Sequence, residues 1–178
     1  MKLSKDILER LGAVGGNGAL DAIEWTAVTS DSRGAGPGRV FVAVRGERAD
    51  GNAFSGAALA AGSPVVVSEC EPAGDVPWVR VVDARRALAI LASAAAGDPT
   101  GHMLLAGVTG TDGKTSTAML VEAGLAACGL VTGLVGTVVY RYAGVSEEAK
   151  MTTPDPVALQ DLFARMSARG VGGAAMEV

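Results

Sequence analysis

The sequence predicts an α/β protein built as two units. Short apolar runs alternate with capped, helix-length segments along most of the chain. A breaker stretch, Gly97-Asp98-Pro99-Thr100-Gly101, interrupts both kinds of pattern and divides residues 1–98 from 99–178. The segment G-V-T-G-T-D-G-K-T-S-T, Gly107 to Thr117, joins an apolar run to a helix-like one. The 178 residues suffice for one large domain or two small ones. With 49% hydrophobic but only 4% aromatic residues, the core must be built from Ala, Val and Leu.

Ser4 to Leu11 is a helix with Ser4 as N-cap and Gly12 as its stop. Ala27 to Ser30 is a brief strand, Asp31-Ser32-Arg33 begins a turn, and Gly34 to Gly38 is a loop. Val40 to Val44 is a strand, and Asn52 to Ala61 a helix capped by Asn52 and closed by Gly62. Strands over Pro64 to Val67 and Trp78 to Val82 precede a helix from Asp83, its cap, to Ala96. Beyond the breaker, Met103 to Gly107 is a strand and Thr115 to Ala127 a helix. Leu130 to Val139 is a strand region broken by Gly133 and Gly136, and Tyr140 to Lys150 an exposed hairpin or loop. Asp155 caps a helix with Pro156 at its first position, ending at Gly170, and Ala174 to Val178 is a strand. The second unit is thus β-α-β-α-β, which implies a parallel sheet with right-handed crossovers. A chain stopping at such a strand would leave three strands and a raw edge, so the sequence reads as the N-terminal piece of a longer protein.

Gly107, Gly110 and Gly113 lie three residues apart, followed by Lys114, Thr115 and Ser116. Strand, glycine turn and Lys-Thr at a helix start is an arrangement that holds a nucleotide triphosphate. Glycines turn backbone N–H groups toward the phosphates, and the helix N-terminus adds partial positive charge. Lys114 would sit on the outer phosphates and the Thr115 hydroxyl on the accompanying magnesium ion. The commonest form of this loop has glycine where Val108 stands, so the form here is the tighter G-x-x-G-x-x-G-K-[ST]. The bland alternative is a glycine-rich turn with no ligand, which leaves the register of strand, loop, Lys-Thr and helix unexplained. Glu177 adds weight. A carboxylate on an apolar strand is costly without a donor or cation, and beside a phosphate loop magnesium is its natural partner.

The net charge of −4 and the lack of any basic run exclude nucleic acid as a main partner. No apolar stretch reaches the roughly 18 residues of a membrane span, and the N-terminus has no apolar core of an export signal. Cys70 and Cys128 read as buried thiols of a reducing compartment, which with the rest points to the cytoplasm. The one histidine, His102, reads as a surface or strand-edge residue. Trp25 and Trp78 read as core or boundary residues, and Arg85 and Arg86 as solvated.

Four segments together resemble a known family. They are T-S-D-S-R (Thr29 to Arg33) with P-G-R-V-F-V-A-V-R-G-E-R-A-D-G (Pro37 to Gly51), the glycine-lysine loop, T-T-P (Thr152 to Pro154) and the terminal A-M-E-V. In order and spacing they resemble the Mur ligases, most closely the UDP-N-acetylmuramoyl-tripeptide synthetase (MurE) type. The resemblance implies a UDP-sugar-binding domain over 1–98 and the first part of a central ATP-binding domain over 99–178. It implies ATP and Mg2+, and amide ligation through an acyl phosphate. A diamino acid (meso-diaminopimelate or L-lysine) would be joined to UDP-N-acetylmuramoyl-L-alanyl-D-glutamate by a monomeric cytoplasmic enzyme, the 178-residue piece alone being inactive. By motif, Gly110, Thr111, Asp112, Gly113, Lys114, Thr115 and Ser116 would bind ATP, with Lys114 catalytic. Thr115 and Glu177 would hold the metal. Ser30, Ser32, Glu47, Arg48 and Ala49 would contact the UDP-sugar, and Thr152 and Thr153 the peptide-bearing end. Three positions depart from the pattern: Asp112 for the usual asparagine, Ser116 for threonine, and Met151 where some members are polar.

Several readings stay open. Asp31-Ser32-Arg33 is a turn on its own terms, and the strand after it tips it toward a site. Thr152-Thr153 either precede a capped helix or touch substrate. The function stands between this ligase, a sister Mur ligase or folylpolyglutamate-type synthetase, and a nucleotide- or UDP-sugar-binding module without turnover.

Overall fold

The computed structural model describes every residue except Glu47, Arg48, Gly74, Asp75 and Lys150. The chain forms two compact units, Met1–Ala95 and Ala96–Val178.

The first unit begins with α1 (Lys5–Leu11), whose N-terminus is capped by the Ser4 hydroxyl and whose end is turned by Gly12 at φ +66°. The strands β1 (Ala13–Asn17), β2 (Ala27–Thr29) and β3 (Arg39–Ala43) follow. Then come α2 (Ser55–Ala60), β4 (Val66–Ser68), β5 (Trp78–Val81) and α3 (Ala84–Ala95). They build one sheet in the order β1-β5-β4-β3-β2, parallel from β2 to β5, with β1 antiparallel on β5. Successive strand residues face opposite sides. Phe41, Ala43 and Val66 pack with Ala58 of α2, while α3 lies along β2, β3 and β4 with α1 beside it. Trp25 and Trp78 are buried, as expected.

Two details differ from expectation. The strand β1 carries no strand signal of its own: Ala13-Val14-Gly15-Gly16-Asn17 has two glycines and no alternation, and its partner β5 supplies the pairing. Asn52 does not cap the helix after it. Residues Gly51–Phe54 form a 3-10 turn capped by Asp50, which accepts from the Asn52 N–H, and α2 starts only at Ser55.

The second unit runs β6 (Leu104–Val108), α4 (Lys114–Ala127), β7 (Thr132–Val135), β8 (Val139–Tyr142), β9 (Val145–Glu148), α5 (Pro156–Ala168) and β10 (Gly173–Glu177). Its sheet has the order β6-β10-β7-β8-β9. The last strand of the chain is therefore enclosed in parallel register between β6 and β7, not left at an edge. The sheet has five strands where three were expected, because β8 and β9 form an antiparallel hairpin on β7. The hairpin is not simply exposed: Tyr140 and Tyr142 are buried in the core beneath it. On one face of the sheet α5 contributes Leu162, Phe163 and Met166 against Val135, Ala174 and Met176. On the other face Ala118 of α4 packs on Leu134 and Ala175. Asp155 caps α5 by accepting from the N–H groups of Val157 and Ala158, with Pro156 at the first position, as the sequence predicts.

Both cysteines are exposed, correcting the buried reading. Cys128 is the C-cap of α4, and Cys70 lies beyond the end of β4, where an Arg45 N–H donates to its sulfur at 3.4 Å. His102 is exposed at the end of the 3-10 turn Pro99–His102. Among the described residues, no helix is long and apolar enough to cross a membrane.

Candidate functional site

Three parallel strands of the second unit, β6, β10 and β7, end side by side, with Glu177 opposite Val108 and Met176 opposite Val135. Ligands in open α/β sheets bind at such carboxyl ends. The glycine-lysine loop leaves β6 here and enters α4. Gly110 and Gly113 have φ of +146° and +75°, values that L side chains rarely adopt. Gly113 is the N-cap of α4 and supplies no side-chain hydrogen bond. The first-turn N–H groups of a 14-residue helix thus have no side-chain cap, which suits an anion. The Lys114 ammonium folds over the loop and donates to the Gly110 carbonyl at 2.6 Å. Thr111, Asp112, Gly113, Lys114, Thr115 and Ser116 line a cleft of about 320 Å3 together with Thr137 and Glu177.

Strand alternation explains how Glu177 arrives. Ala174 and Met176 face α5, so Ala175 and Glu177 face α4 and its Thr115. The Glu177 side chain is 2% exposed. Its Oε1 accepts from the Thr137 N–H at 2.9 Å. Its Oε2 accepts from the Thr115 hydroxyl at 2.9 Å and lies 3.0 Å from the Thr137 hydroxyl. Burial alone pushes this carboxyl up. The Thr137 N–H, the Thr115 and Thr137 hydroxyls and the nearby Lys114 charge outweigh burial, and its pKa lies below the ordinary glutamate value. It stays an anion in the cleft.

The Thr137 hydroxyl is also 3.1 Å from the Thr152 hydroxyl. Having one proton, it donates to the carboxylate and accepts from Thr152. Thr153 donates to the Glu177 carbonyl at 3.3 Å. Thr153 is thereby tied to the strand that carries Glu177, and Thr152 to the Thr137 hydroxyl that holds the Glu177 side chain. Met151 is exposed, and its backbone is fastened to the Tyr140 hydroxyl, which donates to the Met151 carbonyl at 2.6 Å.

A second cleft, of about 810 Å3, lies in the first unit beyond the ends of β2 and β3. Ser30, Ser32 and Ala49 line it, as do Arg33, Phe54 and Arg85. Glu47 and Arg48 lie outside the described residues. Asp31 accepts from the Arg33 N–H at 3.0 Å and from its guanidinium at 2.6 Å, which lowers its pKa to about 2. Arg85 is not merely solvated: it donates to the Arg45 carbonyl at 2.8 Å and forms part of the cleft wall.

Two family models match the chain. One, described as Mur ligase family, catalytic domain, covers residues 24–96, and the other, Mur ligase middle domain, covers 108–178. The chain belongs to the Mur ligase family. It is 46% identical over 180 aligned residues to the UDP-N-acetylmuramoyl-L-alanyl-D-glutamate–2,6-diaminopimelate ligase of Chlorobaculum tepidum, covering 97% of this chain and 35% of that protein. It is 39% identical to the ligase of the same name from Bacillus licheniformis, covering 100% of this chain and 36% of that protein. The chain thus spans about a third of the length of these relatives. Its fold is similar to a solved structure of a 2,6-diaminopimelate ligase of this kind, with TM-score 0.77 at 21% identity, over 100% of this chain and 36% of the other. It is also similar to MurF ligase from Thermotoga maritima in complex with ADP, with TM-score 0.53 at 22% identity, over 85% of this chain and 31% of the other.

The Mur ligase loop also fits a magnesium ion. Thr115 and Glu177 are hard oxygen donors within hydrogen-bond reach of each other and open to the same cleft. Among the described residues no group of three or more His, Cys, Asp or Glu could hold a metal. A cation here would take few protein ligands, with phosphate and water completing its shell, which is how magnesium binds. Reading the sequence missed Thr137, Gly136 and Arg85. Thr137 and Gly136 sit in an irregular strand region, and their role depends on a partner 40 residues away. The C-terminal end of a parallel strand, close to the family's loop, is the signal that could have pointed to them.

Proposed function

We propose that this chain supplies the UDP-sugar-binding and phosphate-loop parts of an ATP-dependent amide ligase of peptidoglycan precursor synthesis. The observation that carries the reading is the meeting of Lys114, Thr115 and Glu177 at the ends of three parallel strands, beside a helix N-terminus with no side-chain cap. The acceptor is UDP-N-acetylmuramoyl-L-alanyl-D-glutamate. The incoming amine is 2,6-diaminopimelate, favoured over L-lysine because relatives at 46% and 39% identity are named for it. The setting is the cytoplasm, the enzyme a monomer and the cofactors ATP and Mg2+.

In this reading the D-glutamyl carboxylate attacks the γ-phosphorus of ATP, the bond to ADP breaks, and an acyl phosphate forms. The amine attacks the acyl carbon, phosphate leaves with the bonding pair, and the ammonium loses a proton to give the amide. Lys114 leaves the Gly110 carbonyl and lies along the outer phosphates, where its charge offsets the charge that accumulates in transfer. The free N–H groups of the first turn of α4 hold the phosphate oxygens in line. Thr115 and Glu177 would hold the magnesium ion, which when bound neutralises phosphate charge. Thr152 and Thr153 would hold the peptide end of the acceptor. Ser30, Ser32 and Ala49, with Glu47 and Arg48, would hold the UDP-sugar in the larger cleft, and Arg33 and Arg85 suit its diphosphate.

The test is calorimetry of the full chain with Mg2+ and ADP, wild type against Lys114→Ala. The expected result is measurable binding that weakens by at least about tenfold, the loss of one charged contact. Equal binding by the variant would sink the reading. UDP should perturb the NMR signals of Ser30 to Arg33 and leave those of Gly110 to Ser116 in place; the reverse pattern would exchange the roles of the two clefts.

A further inference from the structure

We propose that Thr137, brought into place by Gly136, is the positioning residue for the Glu177 carboxylate and so sets the cation affinity of the loop. The inference rests on the reading of the loop as a Mg-nucleotide site. It assigns a role to two residues that no motif of the chain marks.

Thr137 is the residue that engages both oxygens of the carboxylate. Its N–H reaches Oε1 at 2.9 Å and its hydroxyl reaches Oε2 at 3.0 Å. With the Thr115 hydroxyl on Oε2 at 2.9 Å, three protein donors act on a group with about four acceptor positions. The remaining position can serve a cation, and the plane of the carboxylate is fixed before one arrives. That saves the ordering cost of binding. Glu177 is 2% exposed, so in this position the carboxylate is shielded from water and held by protein donors.

Gly136 is shaped to the same group. Its φ is outside the left-handed region, so glycine is not required there by backbone conformation. It is required by space: a Cβ at this position would lie 2.4 Å from Glu177 Oε1. A side chain here would push that oxygen from the place where the Thr137 N–H now bonds it. The chain of hydroxyls from Thr152 to Thr137 to Glu177 also runs from the expected substrate side to the metal side. Loss of Thr152 should therefore disturb the cation less than loss of Thr137, and in the same direction.

The experiment uses the full chain with ADP and Mn2+ as the probe for the metal. Free Mn2+ is read by electron paramagnetic resonance at saturating ADP, and ADP affinity in EDTA by calorimetry. Thr137→Val should weaken Mn2+ binding about tenfold, the scale of one hydrogen bond to a charged group. Thr137→Ser should restore it to within about twofold, and ADP affinity in EDTA should not change in either. Thr137→Ala serves as a second loss variant should the valine form fail to fold. Unchanged Mn2+ binding in the loss variants, or an equal loss of ADP binding in EDTA, would overturn the proposal. Wild-type chain that binds ADP equally with Mn2+ and in EDTA would overturn the metal reading, and chain that binds no ADP under either condition would overturn the nucleotide reading itself.

Discussion

Replacing Gly136 by alanine puts a methyl carbon 2.4 Å from Glu177 Oε1 and 3.4 Å from its Cδ. Ordinary contact begins near 3.4 Å, so the oxygen must retreat by about 1.0 Å (3.4 − 2.4). The carboxylate is buried in its present position, held by the Thr137 N–H and the Thr115 and Thr137 hydroxyls, so moving it breaks these bonds. Its 2.9 Å bond from the Thr137 N–H would then stretch past hydrogen-bonding range. Losing a hydrogen bond to a charged group costs about 1.5–3 kcal/mol, and overpacking costs about 1–3 kcal/mol. These describe one event from two sides, so the expected destabilisation is about 2–3 kcal/mol and not their sum. Gly133→Ala is the matched control. Its Cβ would meet the Met166 sulfur at 2.9 Å and its methyl at 3.2 Å. A thioether side chain can shift, and removing a glycine also lowers unfolded-chain entropy, so the net change should stay below about 1 kcal/mol. Urea denaturation followed by circular dichroism measures both. Tryptophan fluorescence is the internal reference, because Trp25 and Trp78 both lie in the first unit. The transition of the second unit should move for Gly136→Ala at constant m, while the tryptophan transition holds. Equal stability of the two variants would refute the argument from carboxylate crowding.

The other expectations concern charge. Asp31 has its pKa depressed from 3.8 to about 2 by Arg33, so what it contributes is present above the ordinary value and lost as pH falls through about 2. An NMR titration should find its midpoint near 2 in the wild type and back in the ordinary range in Arg33→Leu; a wild-type midpoint near 4 would dissolve the pairing. Asp112 is exposed beside the loop, and removing its charge should ease the approach of a triphosphate. Asp112→Asn should tighten ATP by roughly two- to fivefold at low salt, as expected for an exposed charge pair, with the gain shrinking as salt rises. A salt-independent gain, or none, would assign Asp112 another role.

Local chemistry made much of this protein legible in its sequence. Ser4 with Gly12, and Asp155 with Pro156, are caps whose effect spans only a few residues, and they stand where expected. The glycine-lysine loop is equally local: glycines for the turn, Lys114 and Thr115 at the first positions of a helix. Family membership followed from four such segments and is shown by two domain models. Tertiary structure alone decided what depends on distant partners. The strand β1 exists because β5 supplies its hydrogen bonds, and the hairpin buries Tyr140 and Tyr142 because α5 and the sheet offer a core beneath them. The cysteines are exposed because of where α4 and β4 end, which composition does not encode. The site shows the same division. Thr115 was readable from its neighbours, and Glu177 from the cost of a carboxylate on an apolar strand. Their meeting across 62 residues, and the shaping of Gly136 and Thr137 to that carboxylate across 40, arise only when three parallel strands end together. No local propensity carries that information, because it lies in which strands become neighbours.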